Sequence, residues 1–584
     1  MVSNTFEIKD EFYCNGNPVK IISGGIHYFR IVPDYWRDRL EKLKALGCNT
    51  VETYIPWNLH EPNKGEFYFD GILDIKRFIK TAEELGLWVI LRPSPYICAE
   101  WEFGGLPAWL LAEDGMRLRA NYLPYLNHVS DYYKELFKII SPLQFPNGGP
   151  VIMMQIENEY GYYADDTSYL EELRNLMLDN GVVVPLVTSD GPWGDALSCG
   201  SIEGALPTCN FGSKVKEQYE HLKKYTAGRP LMVMEFWVGW FDFWGVEKHV
   251  TSDLKDNCKE LEEALKLGSV NIYMFIGGTN FGFMNGSNYY EALKPDVTSY
   301  DYDAVLTEWG DITPKYIEFQ KVISNFTKLP HVELSTKINK ISYGSFVVQD
   351  KVDLFEVLDD ISQPVQNLHP LSMEKLGQNY GYILYRSELK KEKSLSKLQL
   401  CGANDRAIVY VENDRLITLY DQELLVEHEL TEKTIVDHSH MSILMENMGR
   451  VNFGPRLESQ RKGIDSAVVI NGHMHMNWTH YTLPLNNLND IDFSKDYHEG
   501  QPSFYRFEFM VNEIGDTFLD MEGWGKGCAF INGINLGRFW EIGPQKKLYL
   551  PGPLIKKGLN EIVIFETEGK SRDFIVLSDQ PDIG

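Results

Sequence analysis

The chain has 584 residues, too many for one hydrophobic core, so two to four domains are expected. Its 56 basic and 83 acidic residues leave a formal net charge of −27, which argues against nucleic acid and anionic membrane as partners and leaves neutral substrates compatible. Hydrophobic content of 43% is ordinary for a globular protein, whereas 13% aromatic content, concentrated near polar strand ends, points weakly towards carbohydrate.

The opening MVSNTFEIKDEFYCNGN has neither a basic nor an apolar leader region, and no later stretch approaches 18 uninterrupted apolar residues. A soluble, cytoplasmic protein is expected unless a leader has been removed. A hairpin is predicted around Asn15-Gly16-Asn17-Pro18, then a buried strand over residues 19–26 ending in GGIHYFR. Pro33-Asp34-Tyr35-Trp36 starts a helix to about Leu46, closed by Gly47. Residues 49–55 form the next strand, ending at Tyr54 and Pro56-Trp57-Asn58. The helix over 71–85 repeats Ile72, Ile75, Phe78, Ile79, Ala82 and Leu85 near the 3.6-residue period, and Gly86 stops it. A third strand over 87–91 runs into a long loop, RPSPYICAEWEFGGLPAWL, carrying Glu100 and Glu102; a helix over 123–140 follows.

Residues 149–163, GPVIMMQIENEYGYY, concentrate the chemistry. The apolar run 151–156 reads as a fully buried parallel strand, and Glu157, Asn158 and Glu159 follow at once. In α/β architectures that end of a strand is where ligands sit. Helix 168–178, strand 185–188, strand 208–211 and helix 214–225 continue the alternation. The stretch 229–245, RPLMVMEFWVGWFDFWG, repeats the pattern: an apolar strand ends in Glu235, crowded by Phe236, Trp237, Trp240, Phe241, Phe243 and Trp244. Helix 252–267 and strand 270–276 complete eight strands, which argues for a (β/α)8 TIM barrel with Glu159 and Glu235 after strands four and seven. Two carboxylates beside aromatic faces are what glycoside hydrolysis requires, one to donate a proton and one to meet the positive charge that develops on the sugar.

From about Leu329 short alternating strands replace the helices; residues 408–417 and 529–537 each read as strand, Asn-containing turn, strand. Two all-β sandwich or jelly-roll domains are expected, giving a barrel over 1–328, a first all-β domain with its connecting segment over 329–485, and a second over 486–584. The eight cysteines show no CxxC pair or metal-ligand spacing and read as reduced, mostly buried residues. Asn325 and Asn477 match the N-glycosylation pattern, which means little without a secretory signal. His27 and His60 read as structural; His473 and His475 lack a third ligand, so neither metal nor cofactor is expected.

With these residues laid out, the chain resembles glycoside hydrolase family 35 β-galactosidases. GGIHYFR, ETYIPWNLHEP, PYICAEWEFGGLPAWL, QIENEYG and MEFWVGW match that family's pattern in order, and SYDYDA, MGRVNFG and INGINLGRFW extend the match beyond the barrel. The resemblance implies a retaining mechanism with Glu159 as acid and base and Glu235 as nucleophile. It also implies that Asn158 binds the sugar 2-hydroxyl, that Tyr54, Glu100 and Tyr302 hold the galactose, with Tyr300 close by as an alternative to Tyr302, and that Ala99 contributes through its backbone. Trp240, Phe243 and Trp244 are candidates for a platform under the second sugar, or for plain packing. The chain departs from the family pattern at Ser94, Trp309 and Phe453; the last removes a hydroxyl that could contact the acceptor sugar. The leading expectation is an exo-acting β-galactosidase on neutral glycans, with β-1,3 linkages the first choice. Another exo-β-glycosidase such as a glucosaminidase, an idle glycan-binding scaffold and a metal-dependent barrel hydrolase are the alternatives. Oligomeric state, a homo-oligomer included, stays open.

Overall fold

The computed structural model describes residues 4–93, 95–334, 338–389, 394–434 and 438–584. Eight parallel strands close into a barrel in chain order: Ile22–Ile26, Thr50–Tyr54, Trp88–Arg92, Val151–Gln155, Leu186–Asp190, Ala205–Phe211, Met232–Trp237 and Ser269–Ile276. Their residues are almost all buried, because helices cover the outer face and side chains fill the interior; this is why the runs do not alternate with polar residues. The helix Ile75–Glu84 shows how the cover is made. Asp74 caps its start by accepting from the Arg77 N–H at 2.8 Å, and Ile75, Phe78, Ile79 and Ala82 face the barrel. Helix Trp36–Leu46 ends at Gly47, at φ +108, where a Cβ would lie 2.8 Å from both Ile323 and Leu329, so glycine serves conformation and packing together.

The first strand is shorter than the apolar run 19–26 suggested. The chain turns at exposed Lys20, and Val19 closes a small antiparallel sheet of Phe6–Ile8, Phe12–Cys14 and Asn17–Val19. Phe6 and Phe12 of that sheet share a core with Ile90, Ile152, Val187 and Met232, so it plugs the N-terminal end of the barrel. Among the described residues no helix is long and apolar enough to cross a membrane, and all eight cysteines are free thiols.

Beyond the barrel stand two all-β modules. In the first, a six-stranded sheet containing the hairpin Arg406–Val411 and Asp414–Tyr420 accompanies a four-stranded sheet around Ser394–Asn404. The second is built on Ser503–Val511, Gly558–Glu566 and the hairpin Lys526–Ile531 and Ile534–Trp540. Gly344–Val347 and Asp350–Asp353 fall inside the span expected for the first module, yet they pair with Phe574–Ser578 and Ser503–Val511 of the second. Polar anchors fix this exchange: Arg506 Nε donates to Asp350 at 3.0 Å, and Asp353 accepts from Ser503 Oγ at 3.1 Å. The first module is therefore flanked on both sides by strands of the second.

Arg450 fastens the first module to the barrel. Its guanidinium, fully buried, donates to Glu102 of the long loop at 2.5 Å and also pairs with Glu374. Removing one partner of a buried ion pair leaves the others uncompensated, so Arg450→Met is expected to cost about 3–5 kcal/mol of stability. Urea unfolding would measure it, and a loss below about 1 kcal/mol would mean that water replaces the guanidinium without penalty.

Candidate active site

At the C-terminal end of the barrel lies a cavity of about 230 Å³. Its polar floor is made by Glu100, Asn158, Glu159 and Glu235, and its mouth by aromatic rings. Trp193 stacks on Trp237 with centroids 5.9 Å apart, Trp237 meets Trp240 edge-on at 5.4 Å, and Phe453 of the first all-β module meets Tyr162 at 6.3 Å.

The two carboxylates of the Glu157-Asn158-Glu159 run part company. Both residues lie in the left-handed region, at φ 55 and 49, which non-glycine residues seldom adopt. Glu157 points back into the protein and accepts from Arg119 Nε and Nη2, each at 2.8 Å, and from Tyr169 at 3.2 Å. Glu159 points into the pocket, where Asn210 Nδ2 donates to its Oε1 at 3.0 Å. Burial and then the nearby charge of Glu235 push the Glu159 carboxyl up to about 7, against the pull of Asn210. Glu235 sits within the seventh strand, not after it, at an irregularity in the pairing with the sixth and eighth. It accepts from Tyr54 at 2.8 Å, from Arg92 Nη2 at 2.6 Å and from Trp237 Nε1 at 3.0 Å.

Arg92 ties these pieces together. Fully buried at the end of the third strand, it donates from Nε to Gln155 at 2.9 Å and from Nη2 to Asn158 Oδ1 at 2.7 Å as well as to Glu235. Gln155 Nε2 also donates to Asn158 Oδ1, at 3.1 Å, so the amide is oriented with its nitrogen left for the pocket. On the opposite wall Cys98, Ala99 and Glu100 follow one another at φ 57, 58 and 49. Arg30 Nη2 holds that turn by donating to the Ala99 carbonyl at 2.6 Å, and Tyr300 donates to Glu100 at 2.5 Å.

Of the expected site residues, Ala99, Glu100, Asn158, Glu159, Glu235, Trp240 and Tyr302 line this pocket. Tyr54 does not: it is fully buried behind Glu235, because its hydroxyl is spent on that carboxylate. Trp244 also lies outside the wall; it is buried in the loop, whose backbone N–H donates to Pro295 at 3.0 Å. Tyr300 lies behind Glu100, so of these two tyrosines it is Tyr302 that faces the cavity. Ser94 lies outside the described residues. Trp309 packs edge-on against Phe518 of the second all-β module at 5.1 Å. His27 contacts Arg30 at 2.6 Å, His60 sits between Tyr28 and Tyr68, and His475 contacts Ser387 at 2.9 Å. Among the described residues no group of three or more His, Cys, Asp or Glu could hold a metal ion. Arg92, Asn210 and Tyr273 were not singled out by the sequence; a lone polar residue near the end of an apolar strand was the available signal for the first two.

A carboxyl pushed up by burial and a second one ringed by donors, facing one aromatic-mouthed pocket at the C-terminal end of a (β/α)8 barrel, are the arrangement that glycoside hydrolysis uses. The family profile described as Glycosyl hydrolases family 35 matches residues 11–326; those for the first all-β domain and the galactose-binding domain of β-galactosidase match 370–484 and 502–560. The chain belongs to glycosyl hydrolase family 35 and is an enzyme of the β-galactosidase type. It is 40% identical over 580 residues to β-galactosidase-1-like protein 2 of Homo sapiens, covering 97% of this chain and 89% of that one. It is 39% identical to β-galactosidase 17 of Arabidopsis thaliana, covering 97% and 88%, and 39% identical to the β-galactosidase of Xanthomonas manihotis, covering 92% and 90%.

Proposed function

We propose that this protein is an exo-acting, retaining β-galactosidase that removes terminal β-D-galactose from neutral oligosaccharides or glycans. The observation that carries the reading is the contrast between Glu159 and Glu235 within one pocket: a carboxyl pushed up by burial, and a carboxylate accepting three hydrogen bonds. Glu159 gives its proton to the departing glycosidic oxygen while Glu235 bonds to the anomeric carbon. Glu159, by then ionised, takes a proton from the water that cleaves the resulting ester. Asn158, with its nitrogen free, suits the 2-hydroxyl beside the nucleophile; Glu100 and Tyr302 suit the hydroxyls on the other side of the ring. A cavity of about 230 Å³ has room for one sugar ring, which favours removal from chain ends. Trp240 and Phe453 at the mouth suit the apolar face of the next sugar, with β-1,3 linkages the first choice.

Release of galactose from matched β-1,3, β-1,4 and β-1,6 galactosyl disaccharides tests this. Cleavage with retained anomeric configuration is expected, fastest on the β-1,3 compound. No release from any of them, with turnover of nitrophenyl β-glucosaminide instead, would replace the sugar assignment.

A further inference from the structure

Glu52 lies one layer below the pocket. It is the third residue of the second barrel strand and is wholly shielded from solvent. Its room exists because residue 25 is glycine: a Cβ there would lie 2.9 Å from Glu52 Oε2. Asn271 Nδ2 donates to Oε2 at 3.2 Å. Glu52 Oε1 stands 3.6 Å from Arg92 Nη1, and neither atom has a hydrogen bond among the described residues. The same guanidinium gives Nη2 to Glu235 at 2.6 Å. One buried cation thus stands between two carboxylates, and the proposed chemistry consumes the charge of only one of them.

We propose that Glu52 is a positioning residue that keeps Arg92 charge-compensated while Glu235 is esterified. The proposal rests on the retaining reading above. As Glu235 bonds to the anomeric carbon, the bond from that carbon to the leaving oxygen breaks, the Glu159 proton goes to that oxygen, and Glu235 becomes a neutral ester. Arg92 then loses its counter-charge where no solvent can replace it, close to a carbon on which positive charge is building. Glu52 supplies the missing charge from the far side of the guanidinium and forms no bond to the sugar. The charged groups facing it are Arg92 and Glu235; Asn271, Met274 and Gly25 are neutral. Burial first, and the charge of Glu235 with it, hold the Glu52 carboxyl up at about 7 against Arg92. Esterification removes one of those upward pushes, so ionisation of Glu52 becomes easier at the stage that needs it. In this proposal Glu52 is ionised before the sugar binds, so the step moves no proton through this buried carboxylate.

The test begins with wild type and a 2-deoxy-2-fluorogalactosyl donor, the adduct being located by peptide mass. An adduct on Glu235 is expected; its absence would overturn the retaining reading and this proposal with it. Given that adduct, Glu52→Gln keeps the shape and removes the charge, whereas Glu52→Asp keeps the charge and leaves a gap. For Glu52→Gln, kcat on a nitrophenyl β-galactoside and the decay rate of the trapped ester are both expected to fall about tenfold or more with KM little changed. Glu52→Asp is expected to lose less. A merely structural glutamate would give the reverse order, with glutamine the milder change. That order, or a glutamine variant within about twofold of wild type in kcat and ester decay, would overturn the proposal.

Discussion

Replacing Glu235 by glutamine is expected to lower kcat on galactosyl disaccharides by about a thousandfold or more. The amide fits the same space, and the donors Tyr54 and Trp237 still find an oxygen or lie close to one. On the proposed mechanism, what is lost is the electron pair that bonds to the anomeric carbon, together with the charge that balances Arg92 at 2.6 Å. The proposed sugar contacts are other pocket groups, so KM is expected to change far less than kcat. Steady-state rates on the preferred disaccharide, with the variant purified apart from wild type, check this. A variant that keeps a tenth of the activity would remove Glu235 from the nucleophile role.

Replacing Glu159 by glutamine is expected to separate substrates by their leaving groups. A sugar leaving group needs a proton as it departs, and its loss is expected to be about 10²–10⁴-fold; an activated nitrophenolate needs none, so its glycosylation step is largely spared. The pH dependence carries a second signature. Burial and the charge of Glu235 raise the Glu159 carboxyl to about 7, and on the proposed mechanism the protonated form is the one that donates. Wild-type kcat/KM on disaccharides is therefore expected to decline as pH rises through about 7, and that limb is expected to vanish from the glutamine variant. Equal losses on both substrate types, or an unchanged alkaline limb, would argue against Glu159 as the acid.

The barrel was legible because its strands and helices carry strong, separate periodicities, and glycines such as Gly47 and Gly86 mark helix ends. The two pocket glutamates were legible for a related reason: carboxylates at or just past the end of a largely apolar run have to be accommodated somewhere. Orientation was not legible. Glu157 and Glu159 read alike from the residues alone, and only the resemblance ranked Glu159; in the structure Arg119 holds Glu157 away while Glu159 lines the pocket. Tyr54 was named as a galactose contact by the resemblance alone, and no local pattern announced that its hydroxyl meets Glu235. Arg92 could not be ranked above other buried polar residues, because its importance lies in partners from three other strands or their ends, Gln155, Asn158 and Glu235 among them. The exchange of Gly344–Val347 and Asp350–Asp353 was hidden for the same cause: short alternating strands state which face is buried but not which distant strand completes the sheet.

That exchange also governs the order in which the nascent chain can acquire its final form. Asp350 leaves the ribosome 156 residues before Arg506, its partner, and Val347 must await Phe574, further still along the chain. The intervening module has its own core around Ile383, Val409, Ile443 and Val468 and can condense first, as a guest within an unfinished host. The host sandwich closes last, and until then Gly344–Val347 and Asp350–Asp353 lack the strands that complete their sheets. Stop codons between the intervening module and these partner strands would therefore damage a segment synthesised more than a hundred residues earlier, before the ribosome ever reached the lesion.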